Sequence, residues 1–225
     1  MIPAEDLAMY LQALASVRAL AVRVLRWVWK SIDPTNMTQH YDDLLAAVSD
    51  IVAAYGEVSA VASAEFYDAV AAGTGRALPP AELAAIAPAE QIETMLRAAL
   101  EPLWADTPQS AVALTRLEGG VTRLSLLPGR ETIFRSAKRD GAKYAIVPQG
   151  KTCAFCLMLA SRGAVYTDRQ PHYHDHCDCA CVPVFRDDDL PQINRELADE
   201  WKNATKGQVN QRAAWRRYVQ ETYGV

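Results

Sequence analysis

All five cysteines of this 225-residue chain fall between Cys153 and Cys181, a window that also holds His172, His174 and His176. The order is Cys153-Ala-Phe-Cys156, then His174-Asp-His-Cys177-Asp-Cys179-Ala-Cys181. An odd number of thiols, crowded into one segment, is poor material for a disulfide framework. A C-x-C pair also cannot close on itself without strain. Two thiols three positions apart on a tight turn, facing donors from a second segment, are the arrangement that closes a tetrahedral zinc site. Cys153 and Cys156 are the firmest ligands, and the others come from His174, His176, Cys177 and Cys179. Cys181 begins an apolar run, alternating with Pro183 and Phe185, and reads as a small core residue. His172, next to Pro171, has a weaker claim, and His40 sits on a distant helix. Four protein ligands leave no open coordination position, so the expected zinc is structural, and it supplies folding free energy to a segment with little core of its own.

Enzyme templates fit poorly. A zinc deaminase needs H-x-E followed by P-C-x-x-C, whereas here the C-x-x-C comes first and no H-x-E occurs. H-E-x-x-H and G-x-S-x-G are also missing. A thioredoxin-like C-x-x-C belongs between a strand and a long helix of an α/β chain. A cysteine nucleophile is conceivable, but thiols this crowded are better explained as ligands.

The rest of the chain reads as mainly helical. Leu7 to Trp29 is strongly apolar, yet Arg18, Arg23 and Arg26 interrupt it, so it is an amphipathic helix over about 4–31 and not a membrane span. Its apolar side carries Leu11, Leu14, Leu25, Trp27 and Trp29, and its acidic start is not that of a signal peptide. Pro34 ends it, and Thr35 or Thr38 is expected to cap a second helix running to about Ala72, with Leu44, Val48, Val52, Tyr55, Phe66 and Val70 at helical spacing. Together they make a helical hairpin. Pro79-Pro80 and Pro88 are expected to open short Ala-rich helices up to Trp104. Another is expected from Thr107-Pro108 to Leu127, broken by Pro128-Gly129, with a further helix over 130–139. Short β-prone runs at Tyr144–Val147, Ala164–Tyr166 and Cys181–Phe185 suggest a small sheet around the cysteines, with Pro183 on an edge. Residues 189–223 return to helix, divided at Gly207. The expected fold is therefore a long N-terminal helical hairpin and helical arm, then a small α+β zinc-binding module, then C-terminal helices. The boundaries are 1–127, 128–187 and 188–225.

Charge is unevenly spread. Residues 1–110 carry 6 Lys/Arg against 14 Asp/Glu, and residues 111–225 carry 17 against 13. Within 112–151 a basic stripe includes Arg123, Arg130, Arg135, Lys138, Arg139 and Lys151, and the first five are candidate DNA contacts, although a solvated helix face with paired charges is the favoured reading of such a pattern.

A set of motifs carries a resemblance: Gly129-Arg-Glu-Thr132, Lys143-Tyr-Ala-Ile-Val-Pro148, Cys153-Ala-Phe-Cys156 with Arg162-Gly163-Ala-Val-Tyr166, and Tyr173-His174-Asp-His-Cys177-Asp-Cys179 with Val182-Pro183-Val184. Over about 128–186 the chain resembles the MuF-like minor head (minor capsid) proteins of actinobacterial tailed phages. The resemblance places the family's Cys/His pattern on Cys153, Cys156, His174, Cys177 and Cys179, with His176 and Cys181 as additional potential ligands. It implies a structural virion protein in several copies around the portal inside the capsid, assembled in the host cytoplasm. It further implies contacts with portal and capsid or scaffold proteins, a role in head morphogenesis and DNA ejection, and contact with packaged DNA, but no membrane. On this reading 1–127 binds the portal. A capsid maturation protease and a zinc-stabilised DNA-binding module are the two alternatives.

Overall fold

The computed structural model describes residues 2–149, 152–167 and 174–224. Lys151, His172 and Tyr173 lie outside them. The described residues are mainly helical, with one small two-stranded sheet.

Helix α1 (Ala4–Lys30) and α2 (Met37–Ala72) form the expected hairpin. The cap between them is not a threonine: a short 3-10 turn at Pro34–Asn36 is held by Asp33, whose carboxylate accepts from the Thr35 N–H at 3.0 Å and its hydroxyl at 2.7 Å. Proline cannot donate, so an acceptor two positions before Thr35 satisfies the first available donor instead. By length and composition α1 and α2 could each cross a bilayer. Here, however, Leu14, Val17, Leu25 and Trp29 of α1 are buried within the fold, while Trp27 stands outside it.

Residues 77–88 are not helical, although their alanines favour helix. They run as an extended strap across α2 and α4 (Ser110–Arg139), held by side chains. Asp68 accepts from the Ala81 N–H at 2.8 Å, Ser136 Oγ from the Glu82 N–H at 2.8 Å and Thr132 Oγ1 from the Ala84 N–H at 3.0 Å. Tertiary hydrogen bonds outweigh a local preference worth only a fraction of a kcal/mol per residue, about 0.5. Helix begins only at α3 (Ala89–Leu100), behind Pro88.

The expected break at Pro128-Gly129 does not occur: α4 is one helix of 30 residues that runs straight across the 127/128 boundary. Pro128 leaves the Leu124 carbonyl without its usual donor, but the proline ring packs where Gly56 of α2 offers no side chain. Gly129 lets the two backbones approach closely. A Cβ there would lie 2.6 Å from the Ser59 carbonyl oxygen, and its N–H donates to Ser59 Oγ at 3.2 Å. The Pro-Gly pair is thus a helix-packing device between α2 and α4.

After α4 come β1 (Lys143–Val147), α5 (Ala154–Ala160), β2 (Ala180–Val184), α6 (Gln192–Thr205) and α7 (Gln211–Tyr223). β1 and β2 pair antiparallel, with Tyr144 opposite Pro183 and Ile146 opposite Cys181. Pro183 is tolerated because Tyr144 turns its N–H away, to the Tyr166 carbonyl at 3.1 Å. The β-prone run Ala164–Tyr166 contributes only the Tyr144–Tyr166 bridge. Gly207, at φ 72°, divides α6 from α7 as expected.

Two apolar cores result. One joins Leu25, Val48, Leu96, Leu117 and Leu124 from α1 to α4. The other joins Tyr10, Leu14, Tyr67 and Ile133 to the sheet, α5, Leu197 and Trp215. The cysteine module therefore packs directly on the long helices.

Candidate metal centre

Cys153 occupies the N-cap of α5, its Sγ accepting from the Cys156 N–H at 3.5 Å, so both thiols of the C-x-x-C face one side of the first turn. Opposite them runs the segment 174–179. The Cys177 N–H donates to the His174 carbonyl at 3.1 Å, and His176 takes a left-handed φ of 62°. That reversal turns His174 and Cys177 toward α5.

Cys153 Sγ lies 3.0 Å and Cys156 Sγ 3.5 Å from His174 Nε2, and Cys156 Sγ lies 3.6 Å from Cys177 Sγ. Two groups of donors share Cys156: Cys153, Cys156 and His174, and Cys156, Cys177 and Cys179, each within 4.8 Å of one another. A tetrahedral zinc with Zn–S near 2.3 Å and Zn–N near 2.0 Å places ligand atoms about 3.5–3.8 Å apart. The donor types and spacing fit such an ion. His174 Nδ1 donates to the Asp175 carbonyl at 2.7 Å, and because a carbonyl only accepts, the proton sits on Nδ1 and the Nε2 lone pair faces the thiols.

Without a metal, electrostatics ready Cys177 and Cys153 for ligation and favour the protonated forms of Cys156, Cys179 and His174. Thiol hydrogen bonds from Cys156 and Cys179, with the Arg130 charge behind them, push Cys177 down to about 2, and the same sharing pushes Cys156 and Cys179 up. Burial opposes ionisation of Cys153, but the Cys156 N–H and His174 outweigh it and lower its pKa. Burial likewise opposes protonation of His174, yet the Asp175 carbonyl and Cys153 raise its pKa overall.

The structure brings together five of the six sequence-predicted ligands. His176 is the exception: its N–H donates to the Gly119 carbonyl at 3.4 Å, and its ring covers Gly119 of α4, where an added Cβ would sit 2.6 Å from Nε2. The left-handed turn that aims His174 and Cys177 inward carries His176 outward. Cys181 is buried in β2, with its carbonyl accepting from Tyr10 Oη at 3.1 Å.

The predicted DNA-contact stripe does not form a free surface. Arg130 is 1% exposed and donates from Nε to the Cys179 carbonyl at 2.9 Å and from Nη2 to the Cys177 carbonyl at 2.6 Å. It is an internal clamp on the ligand loop, reached because α4 passes beneath that loop. Arg123 pairs with Asp175 at 2.7 Å, Arg135 with Glu131 at 3.1 Å, and Arg139 holds the Pro79 and Pro80 carbonyls and Asp140. Only Lys138 of the five points to solvent without such a contact among the described residues.

Supporting residues went unsuspected in the sequence. Arg18 of α1 pairs with Asp178 at 2.6 Å, Asn194 bridges the Ile146 and Ala160 carbonyls at 2.8 and 2.9 Å, and Trp215 Nε1 donates to the Ala154 carbonyl at 3.2 Å. Polar residues scattered over three elements give no periodic signal.

The family model described as VG15 protein matches residues 1–204. Among curated proteins, the "Gene 15 protein" of Mycobacterium phage D29 is 32% identical across 39% of this chain. The match covers 45% of that relative's length, so the chain spans less than half of the curated protein it matches. No solved structure matches.

Proposed function

This chain belongs to the VG15 protein family, and we propose that it is a structural minor head protein of a tailed phage, bound to the portal inside the capsid and acting in head morphogenesis. The observation that carries the reading is the convergence of one motif set on one place: the C-x-x-C at the start of α5 and the H-x-x-C-x-C before β2 meet in a single donor cluster. That cluster carries the resemblance to MuF-like minor head proteins, and the phage relative agrees with a virion-related role. Cys153, Cys156 and His174, with Cys177 or Cys179, would hold zinc, which when bound would crosslink α5 to the loop that precedes β2. The chain's own residues then keep the module rigid: Arg130 fixes the ligand loop to α4, and Arg18 ties it to α1.

One observation favours a second reading. Cys153 Sγ, partly buried, and the exposed His174 Nε2 lie 3.0 Å apart and are placed as a thiol nucleophile and its base, an arrangement a capsid maturation protease could use. Cys156 competes for the same Nε2 at 3.5 Å.

Co-expression of the full chain with the portal protein of the same phage, followed by affinity purification and mass spectrometry of purified proheads, tests the proposal. Co-purification and presence in proheads are expected. Absence from both contradicts it, and cleavage of capsid precursor that stops with Cys153→Ser while the protein keeps its fold would establish the second reading.

A further inference from the structure

We propose that the outer face of α1 is a binding site for single-stranded nucleic acid, independent of the portal reading. A cleft of about 770 Å³ opens there, lined by Arg18, Arg23, Arg26, Lys30 and Trp27 from α1 and by His176 from the metal-binding loop. The cations sit at steps of five, three and four residues, so the helix presents them as one stripe about 18 Å long. Glu118 is the carboxylate that lines the cleft, gripped by Arg26 through bonds of 2.6 and 2.9 Å, while Arg18 pairs with the buried Asp178. Arg23 and Lys30 are exposed, and among the described residues no carboxylate pairs with either. The cleft therefore keeps net positive charge in a chain whose net charge is -4.

Trp27 supplies the second element. Its ring is 73% exposed on the wall of this cleft, whereas Trp29 two positions on is only 8% exposed and belongs to the core. A bare indole among unpaired cations is the combination that binds single strands: cations follow the phosphates, and a base stacks on the ring. An anionic bilayer is the less suitable partner, since α1 turns its apolar side inward and offers a concave charged surface outward. The site differs from the α4 stripe, whose arginines are spent on internal carbonyls and carboxylates.

Fluorescence anisotropy with a labelled oligothymidylate, on the full chain at increasing salt, tests this. Binding that weakens with salt is expected. The double variant Arg23→Ala/Lys30→Ala should flatten the log–log salt slope by about 1.4, since each phosphate contact on a single strand contributes about 0.7. Trp27→Ala should weaken binding by about tenfold and remove the fluorescence quench caused by stacking. All three side chains are exposed, so unchanged circular dichroism and melting temperature verify the fold. Absence of binding by the folded wild type at low salt overturns the proposal, as does binding indifferent to these substitutions. Capture by vesicles containing phosphatidylserine without oligonucleotide binding overturns it in favour of a membrane-facing role.

Discussion

Arg130 donates from Nη2 to the carbonyl oxygen of Cys177 at 2.6 Å, from inside the protein. A second bond, from Nε to Cys179, makes the guanidinium a two-point brace across the loop that presents the candidate ligands. Arg130→Met leaves two buried carbonyls without this donor and is expected to lower stability by about 2–4 kcal/mol, measured by urea denaturation. Arg130→Lys keeps the charge but cannot span both carbonyls, and it should recover less than half of the loss. Full stability in either variant would show that the brace contributes little.

The Gly129 and Gly119 contacts predict a contrast. At Gly129 an added methyl meets the backbone carbonyl of Ser59, which cannot move without shifting α2. Gly129→Ala should cost about 1–3 kcal/mol. At Gly119 the obstacles are the side chains of His176 and Asp175 on an exposed loop. Gly119→Ala should cost less, and its main effect should be a local shift of the loop, visible as altered amide resonances near His174.

These contacts also mark where sequence reading succeeds and where it stops. α1, α2 and the helical tail were legible because their apolar positions recur at helical spacing and their ends carry Pro34, Gly73 and Gly207. The cysteine cluster was legible because its spacing is chemical. The strap over 77–88 was not: Ala-rich composition argues for helix, and the decisive acceptors, Asp68, Thr132 and Ser136, lie on other elements. Pro128-Gly129 reads as a break until the partner helix that exploits it is known. Arg130 reads as surface charge because nothing local announces that a ligand loop will fold over it.

Acid should act through Asp140. Arg139 donates to both its oxygens at 2.8 Å, Tyr67 Oη donates at 2.7 Å, and Arg139 is the main cause holding the carboxyl below its ordinary range. A carboxylate with a depressed folded pKa adds stability above its unfolded pKa of about 3.9, and that stability is lost as pH falls through the folded value. Asp140→Asn should therefore melt below the wild type from neutral pH down to about pH 4, and the gap should close at lower pH. A gap independent of pH would assign the effect to packing alone.

Trp215 should matter although it lies beyond the family match at 1–204. It is 1% exposed, stacks with Tyr218 and donates to the Ala154 carbonyl beside Cys153. Trp215→Ala should cost about 3–5 kcal/mol, and Trp215→Phe, which keeps most of the apolar contact, less than half of that. Equal losses in the two variants would place the weight on the hydrogen bond.

Metal content measured by inductively coupled plasma mass spectrometry on the purified full chain, beside its Cys156→Ser, His176→Asn and Cys181→Ser variants, tests the donor cluster most directly. About one zinc per chain is expected in the wild type, as a closed four-ligand site requires. It should be lost in Cys156→Ser, whose thiol belongs to both donor groups, and retained in His176→Asn and Cys181→Ser, whose side chains face elsewhere. A wild type that folds without zinc in zinc-supplemented medium would contradict the account, as would loss of metal in Cys181→Ser equal to that in Cys156→Ser.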